Sequence, residues 1–253
     1  MPADTYPGCA CLHGLMTDLA ALRPLLDDAT ERLLGTVDAL DDTAFADPSA
    51  LPGWSRGHVV AHLILNAEGL AAALTGVARD VAVPMYASGE ARNADIDELA
   101  PHPPAELRAR LRAASRGFAG ALSLVPPESW STEIARVPGD TNTFLASDVL
   151  GMRLRETEIH HVDLAAGYDH DAWSSAFGIH LIEAMHDKVA RRDPSTMPVG
   201  FTARATDVDR SWDFGQGPTV SGSVTDLGWW LSGRGGEDRL AVDAGELPQI
   251  ADW

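Results

Sequence analysis

Glu156 and His160 stand four residues apart in the stretch Met152-Arg-Leu-Arg-Glu-Thr-Glu-Ile-His-His-Val-Asp-Leu164, and His62 lies far upstream in Gly53-Trp-Ser-Arg-Gly-His-Val-Val-Ala-His-Leu63. A helix turns about 100° per residue, so positions four apart share a face. Two imidazoles and one carboxylate are the donor set of a catalytic divalent-metal site that keeps a position open for water or substrate. One i, i+4 pair supplies two ligands, so the third must come from another helix. His62 is the candidate, because its segment is apolar (Val59, Val60, Leu63, Leu65) and would face a partner. Plainer readings stand beside this one. Glu156 and His160 could be a surface pair, His62 could be a core histidine, and His58 with His62 forms a competing i, i+4 pair. His161 points about 100° away from His160, so the two cannot face one ion.

Composition narrows the chemistry. The chain has 253 residues, enough for one large or two modest domains, and 45% of them are apolar. Its net charge of −18 is spread along the chain. Such a surface repels phosphate backbones, which excludes nucleic acid as a partner and favours solubility. No window of about 20 apolar residues reads as a membrane span, and no secretory signal pattern is visible, so a cytoplasmic location and no membrane partner are expected. Lys188 is the sole lysine against 18 arginines. Each arginine set in a cleft could grip a carboxylate with two parallel hydrogen bonds. Cys9 and Cys11 are the only cysteines. They make no disulfide framework and no zinc motif, and neither is placed to be a catalytic thiol. Sulfur chemistry would therefore need a small-molecule thiol.

The elements that must position these residues follow from periodicity and breakers. Residues 1–16 read as an irregular extension. Leu19, Leu22, Leu25, Leu26, Ala29, Leu33, Leu34 and Val37 repeat with helical period to about residue 40. Ser55 caps a second helix to about residue 75. A loop crossing and a short helix occupy 76–103, Pro104 opens a third helix to about 124, and Ser147 or Asp148 starts a fourth that ends near Gly167. Residues 17–168 thus read as a four-helix bundle, a fold that builds metal sites between facing helices. Residues 169–253 change character. A helix over about 173–190, strands within 199–205, 211–214 and 219–223, a short helix over 225–232 and a last strand over 240–243 predict a small α+β domain. The loop Ser232-Gly-Arg-Gly-Gly236 is either a weak anion-site signal centred on Arg234 or an ordinary helix C-cap.

The chain resembles the mycothiol-dependent maleylpyruvate isomerases of the DinB-like metalloprotein superfamily. Gly53-Trp-Ser-Arg-Gly-His-Val-Val-Ala-His62 and Arg155-Glu-Thr-Glu-Ile-His-His-Val-Asp-Leu164 are similar to the metal-binding motifs of that superfamily. Pro84-Met-Tyr-Ala-Ser-Gly-Glu-Ala-Arg-Asn93, Val220-Ser-Gly-Ser223 and Ser232-Gly-Arg-Gly235 are similar to segments of the isomerases. The resemblance implies a mainly α protein, with a DinB-like four-helix bundle followed by a small α+β domain like that of sterol carriers. It also implies a divalent metal, usually zinc, on His62, Glu156 and His160, with mycothiol as thiol cosubstrate and catalytic roles for Arg92 and Arg234. The expected activity is cis-trans isomerisation of the dicarboxylate maleylpyruvate to fumarylpyruvate, by a monomer or homodimer. Asp163, one turn past His160, is either an orienting partner for that imidazole or a surface residue. Three other readings remain: a mycothiol S-transferase that keeps its adduct, a binding protein that uses the α+β domain for an apolar ligand, and a metal hydrolase.

Overall fold

A computed structural model of the chain describes residues 7–141, 143–190 and 200–250, the side chains of 7–18 and 190 aside. The chain divides into two compact units, Met1–Tyr168 and Asp169–Trp253.

The first unit is a bundle of α1 (Pro7–Ala39), α2 (Arg56–Ala78), α4 (Pro104–Leu124) and α5 (Val149–Asp163), with the short α3 (Gly89–Leu99) laid on α2. Helix α2 packs most extensively on α4, and α1 on α5. Helix α1 begins at Pro7, where the sequence predicts an irregular head to residue 16. A proline at the first helical position has no amide hydrogen to lose there, and Leu12 and Leu15 extend the leucine period upstream of Leu19. Residues 1–6 of that expected head lie outside the described residues. Pro104 opens α4, and Ser55 caps α2 by accepting from the His58 backbone amide. Arg108 on α4 closes the other end of α1. Its Nε donates to the Val37 carbonyl at 3.2 Å and its Nη2 to the Leu40 carbonyl at 2.5 Å, which satisfies carbonyls that a helix leaves open in its last turn.

Helix α2 corrects one expectation. By length and composition it could cross a membrane, with a mean hydropathy of 1.4 over its best window. The reason is its position: contacts with α3, α4 and α5 surround it, and 67% of that window is buried inside the protein. Leu63, Ile64, Leu70 and Leu74 are wholly buried, each worth about 2 kcal/mol of transfer free energy. An antiparallel hairpin of β1 (Glu133–Ala135) and β2 (Thr143–Leu145) precedes α5, in register Ile134↔Phe144. Strands of three residues are too short to leave a readable alternation.

The second unit carries α6 (Ser175–Ala190), β3 (Thr202–Ala205), β4 (Ser211–Asp213), β5 (Thr219–Gly222), α7 (Val224–Leu231) and β6 (Ala241–Val242). Its sheet has strand order β4-β3-β5-β6, with β3 and β5 parallel and the outer pairs antiparallel. Helices α6 and α7 pack on each other. Ser223 caps α7 by accepting from the Asp226 amide, and Val220, Val224, Leu227 and Phe177 fill the core. This is the small α+β domain that the sequence predicts.

Candidate metal centre

Helix α2 brings His62 and helix α5 brings Glu156 and His160 to one point inside the bundle. His62 Nε2 lies 2.8 Å and His160 Nε2 3.3 Å from Glu156 Oε2. One ligand atom from each residue falls within 4.8 Å of the others, and both histidines are buried. Ligand atoms about 2.0 Å from a shared tetrahedral ion stand about 3.3 Å apart, so the observed spacings suit a divalent cation such as zinc.

The competing pairs point elsewhere. His58 belongs to the cap of α2, with its Nδ1 2.7 Å from Ser55 Oγ. His161 faces α1: its Nε2 lies 2.7 Å from Thr36 Oγ1 and its ring stacks on Tyr168 at 3.7 Å. Glu158 turns to the same side, where Arg32 Nη2 and the Tyr168 hydroxyl each donate to it at 2.6 Å. Glu158 of helix α5 thus faces α1, while Glu156 is the α5 carboxylate that meets both His62 and His160.

Electrostatics prepares the three groups unequally. Burial drives the His62 value down to about 4, against the pull of its Glu156 hydrogen bond. That ring is therefore neutral near pH 7, as a ligand must be. Burial alone would raise the Glu156 value, but hydrogen bonds to His160 and His62 hold it well below the carboxylate range. Burial would lower His160 too, yet Asp163 and Glu156 outweigh it and raise the value. Asp163 itself is buried, with Oδ2 2.8 Å from His160 Nδ1. Of the two readings the sequence leaves open for Asp163, this geometry fits the orienting partner: Nδ1–H donates to the carboxylate and Nε2 is aimed at Glu156.

Arg92, on the first turn of α3, places Nη2 3.1 Å from His62 Nδ1 and donates through Nη1 to Asn93 Oδ1 at 2.9 Å. Its guanidinium carbon lies 5.8 Å from the centre of the Tyr86 ring. Tyr86 is pinned by its own backbone, with the Met85 and Tyr86 amides donating to the carbonyls of Ala135 and Arg136 at 3.1 and 2.9 Å. Gly69 lets that segment lie on α2, since a Cβ there would stand 2.7 Å from the Met85 carbonyl oxygen. Arg234 belongs to the second unit. Its Nη1 donates to the Ser232 carbonyl at 3.1 Å, and Gly233 takes the left-handed conformation (φ 73°) just past α7. The loop therefore serves as a helix C-cap whatever else its arginine does.

Sequence reasoning misses two residues of this centre. Arg153 is wholly buried beneath it, donating to the Leu63 carbonyl at 3.0 Å and to Asn66 Oδ1 at 2.8 Å. Burial lowers its value to about 10, still far above neutrality, and its charge and that of Glu156 support each other. The signal was available in the spacing: Arg153 precedes Glu156 by three positions and shares its face. Tyr86 lies within the family-like segment, but nothing in its spacing marks it. Burial raises its phenol value, and the Glu156 charge raises it further.

A family profile described as the mycothiol maleylpyruvate isomerase N-terminal domain matches residues 26–165. The crystal structure of the mycothiol-dependent maleylpyruvate isomerase superposes with a TM-score of 0.82 at 26% identity, covering 93% of this chain and 97% of that one. A histidine-to-alanine mutant of that enzyme gives 0.80 at 26% identity with the same coverage. No curated protein gives a significant match. With more than half of its length matched by that profile, the chain belongs to the mycothiol maleylpyruvate isomerase N-terminal domain family.

Proposed function

We propose that this protein is a mycothiol-dependent cis-trans isomerase that converts maleylpyruvate to fumarylpyruvate with a divalent metal, zinc by preference, on His62, Glu156 and His160. The observation that carries the reading is the convergence of two buried histidines and a partly buried glutamate from two helices, with Asp163 behind His160. A divalent ion held there would convert a thiol, whose ordinary value is near 8.5, to its thiolate at neutral pH.

The chain's residues take these parts. Asp163 fixes the His160 ring so that Nε2 faces the centre. Arg153 offsets the buried charge of Glu156. The mycothiol thiolate adds to one carbon of the cis double bond, and the electron pair moves into the conjugated carbonyl as an enolate. The former double bond, now single, rotates. The enolate re-forms the carbonyl and expels the thiolate, leaving the trans isomer, so no proton or electron is gained overall. Arg92 supplies a cationic partner for the carboxylates and the developing enolate, the kind of preorganised charge that often dominates catalysis, and Arg234 is a second catalytic residue. The role of Arg234 rests on the resemblance of its loop to that of the isomerases.

The test is maleylpyruvate isomerisation by the purified chain at fixed zinc, with and without mycothiol, before and after chelation. Turnover that needs both is expected. Turnover that survives chelation refutes the metal role. A stable sulfur conjugate in place of the trans isomer makes the protein an S-transferase.

A further inference from the structure

Arg234 stands in a loop that its own residues hold weakly. Gly233, Gly235 and Gly236 surround it with left-handed backbone (φ 73°, 92° and 87°), and glycine loses more freedom on ordering than any other residue. Gly233 and Gly235 also border a cavity of about 410 Å³, so open space lies beside them. Support comes from the two ends of the loop. At the near end Ser232 Oγ donates to the Trp229 carbonyl at 2.6 Å, and the Gly233 amide to the Trp230 carbonyl at 2.9 Å. At the far end the short helical turn Glu237–Arg239 is closed by the Arg239 amide, which donates to the Gly236 carbonyl at 3.1 Å. From that turn the Arg239 guanidinium reaches back: Nε donates to Asp226 Oδ1 at 2.8 Å and Nη2 to Asp171 Oδ1 at 2.5 Å. Asp226 is buried on α7 and fixed in turn, with Ser223 Oγ donating to its Oδ2 at 2.5 Å and His170 Nε2 3.1 Å from its Oδ1. Gly236 lies against the indole of Trp229, where a Cβ would stand 3.0 Å from Cδ1, and His170 stacks on the same indole at 5.2 Å and 3°.

We infer that Arg239 is a positioning residue for Arg234: by tying the turn Glu237–Arg239 to Asp226 and Asp171 it sets the course of the glycine loop, and so where Arg234 is held. A guanidinium forked onto two carboxylates fixes direction as well as distance. Burial of Asp226 shields its half of the fork from salt. The inference rests on the catalytic role of Arg234 proposed above.

The experiment uses the full chain loaded with zinc, with mycothiol and maleylpyruvate. It compares the wild type, Arg234→Ala, Arg239→Met, Arg239→Lys and the double variant Arg234→Ala with Arg239→Met. Circular dichroism checks folding, and should the methionine form fail to fold, the lysine form carries both measurements. Misplacing a catalytic group by about 1 Å costs up to about 100-fold, so Arg239→Met should lower kcat/KM about 10–100-fold. Arg239→Lys keeps the cation and should lose less. In the Arg234→Ala background Arg239→Met should change the rate by less than about twofold, since a residue that acts through another adds nothing once that other is gone. Trypsin reads the loop without zinc or substrate: cleavage after Arg234 should be roughly tenfold faster in Arg239→Met, which lacks the charge-assisted bonds. Unchanged turnover in Arg239→Met, a loss that multiplies with that of Arg234→Ala, or cleavage after Arg234 at the wild-type rate overturns the inference while leaving the role of Arg234 standing. Wild-type turnover in Arg234→Ala overturns that role, and the inference with it. A wild type without turnover overturns the isomerase reading, and the cleavage rate then decides whether Arg239 holds the loop.

Discussion

Replacing Asp163 tests how the centre is held. Its Oδ2 lies 2.8 Å from His160 Nδ1, and both residues are buried. A hydrogen bond to a charged group contributes about 1.5–3 kcal/mol, and loss of such a partner behind a metal-bound histidine costs about 10–100-fold in affinity. Asp163→Asn retains an acceptor without the charge, so it should sit near the tenfold end. Asp163→Ala leaves a buried N–H with no acceptor and should approach 100-fold. A second effect opposes these. Asp163 also raises the proton affinity of His160, and that proton competes with the ion. Its removal relieves the competition at low pH, so the affinity loss should be larger at pH 8 than at pH 6. The assay is zinc competition with a chromophoric chelator at both pH values, beside a thermal melt. If Asn and Ala both bind zinc like the wild type at pH 8, the Asp163 bond does not organise the centre. If the loss is the same at pH 6 and pH 8, the assigned proton competition is wrong.

Zinc binding to the wild type should release about one proton per ion near pH 6, because His160 is held above its ordinary value while His62 titrates near 4 and Glu156 well below the carboxylate range. Calorimetry in buffers of different ionisation enthalpy counts that proton, and a count of zero or two contradicts the assignment. Arg153→Ala removes a buried cation bonded to Leu63 and Asn66 and should cost about 3 kcal/mol, seen as a drop in Tm of about 6–12 °C; a change below about 2 °C would remove Arg153 from the support of the bundle. Gly69→Ala puts a Cβ against the Met85 carbonyl and should displace Tyr86 while leaving zinc affinity within about twofold, so a rise in KM for the dicarboxylate with zinc binding unchanged is the expected signature.

The bundle was legible because its signals are local and repeated. Ser55 and Pro104 mark helix starts, and the leucine period of α1 runs for several turns. The Glu156–His160 pair was legible for the same reason, since i, i+4 spacing on a helix survives any tertiary arrangement. His62 could be paired with it only by supposing which helices meet, and the competing role of His58 became clear only from its bond to Ser55. The β1–β2 hairpin and the Arg92–His62 contact were not legible. The first has strands of three residues, and the second joins residues 30 positions apart through a turn of the chain with no periodicity. The all-round burial of α2 was hidden because composition alone cannot tell a central helix from a membrane span.

That same helix has a consequence for synthesis. Helix α2 ends at Ala78, while α5, which covers part of it and completes the centre, ends only at Asp163, 85 residues later (163 − 78). At about 5–20 residues per second, the ribosome leaves this apolar segment without its last partner for about 4–17 s. For that interval the most hydrophobic stretch of the nascent chain is a target for chaperones and for misplaced association. Slowing elongation between residues 78 and 149 should lower the yield of folded protein more than slowing it after residue 168.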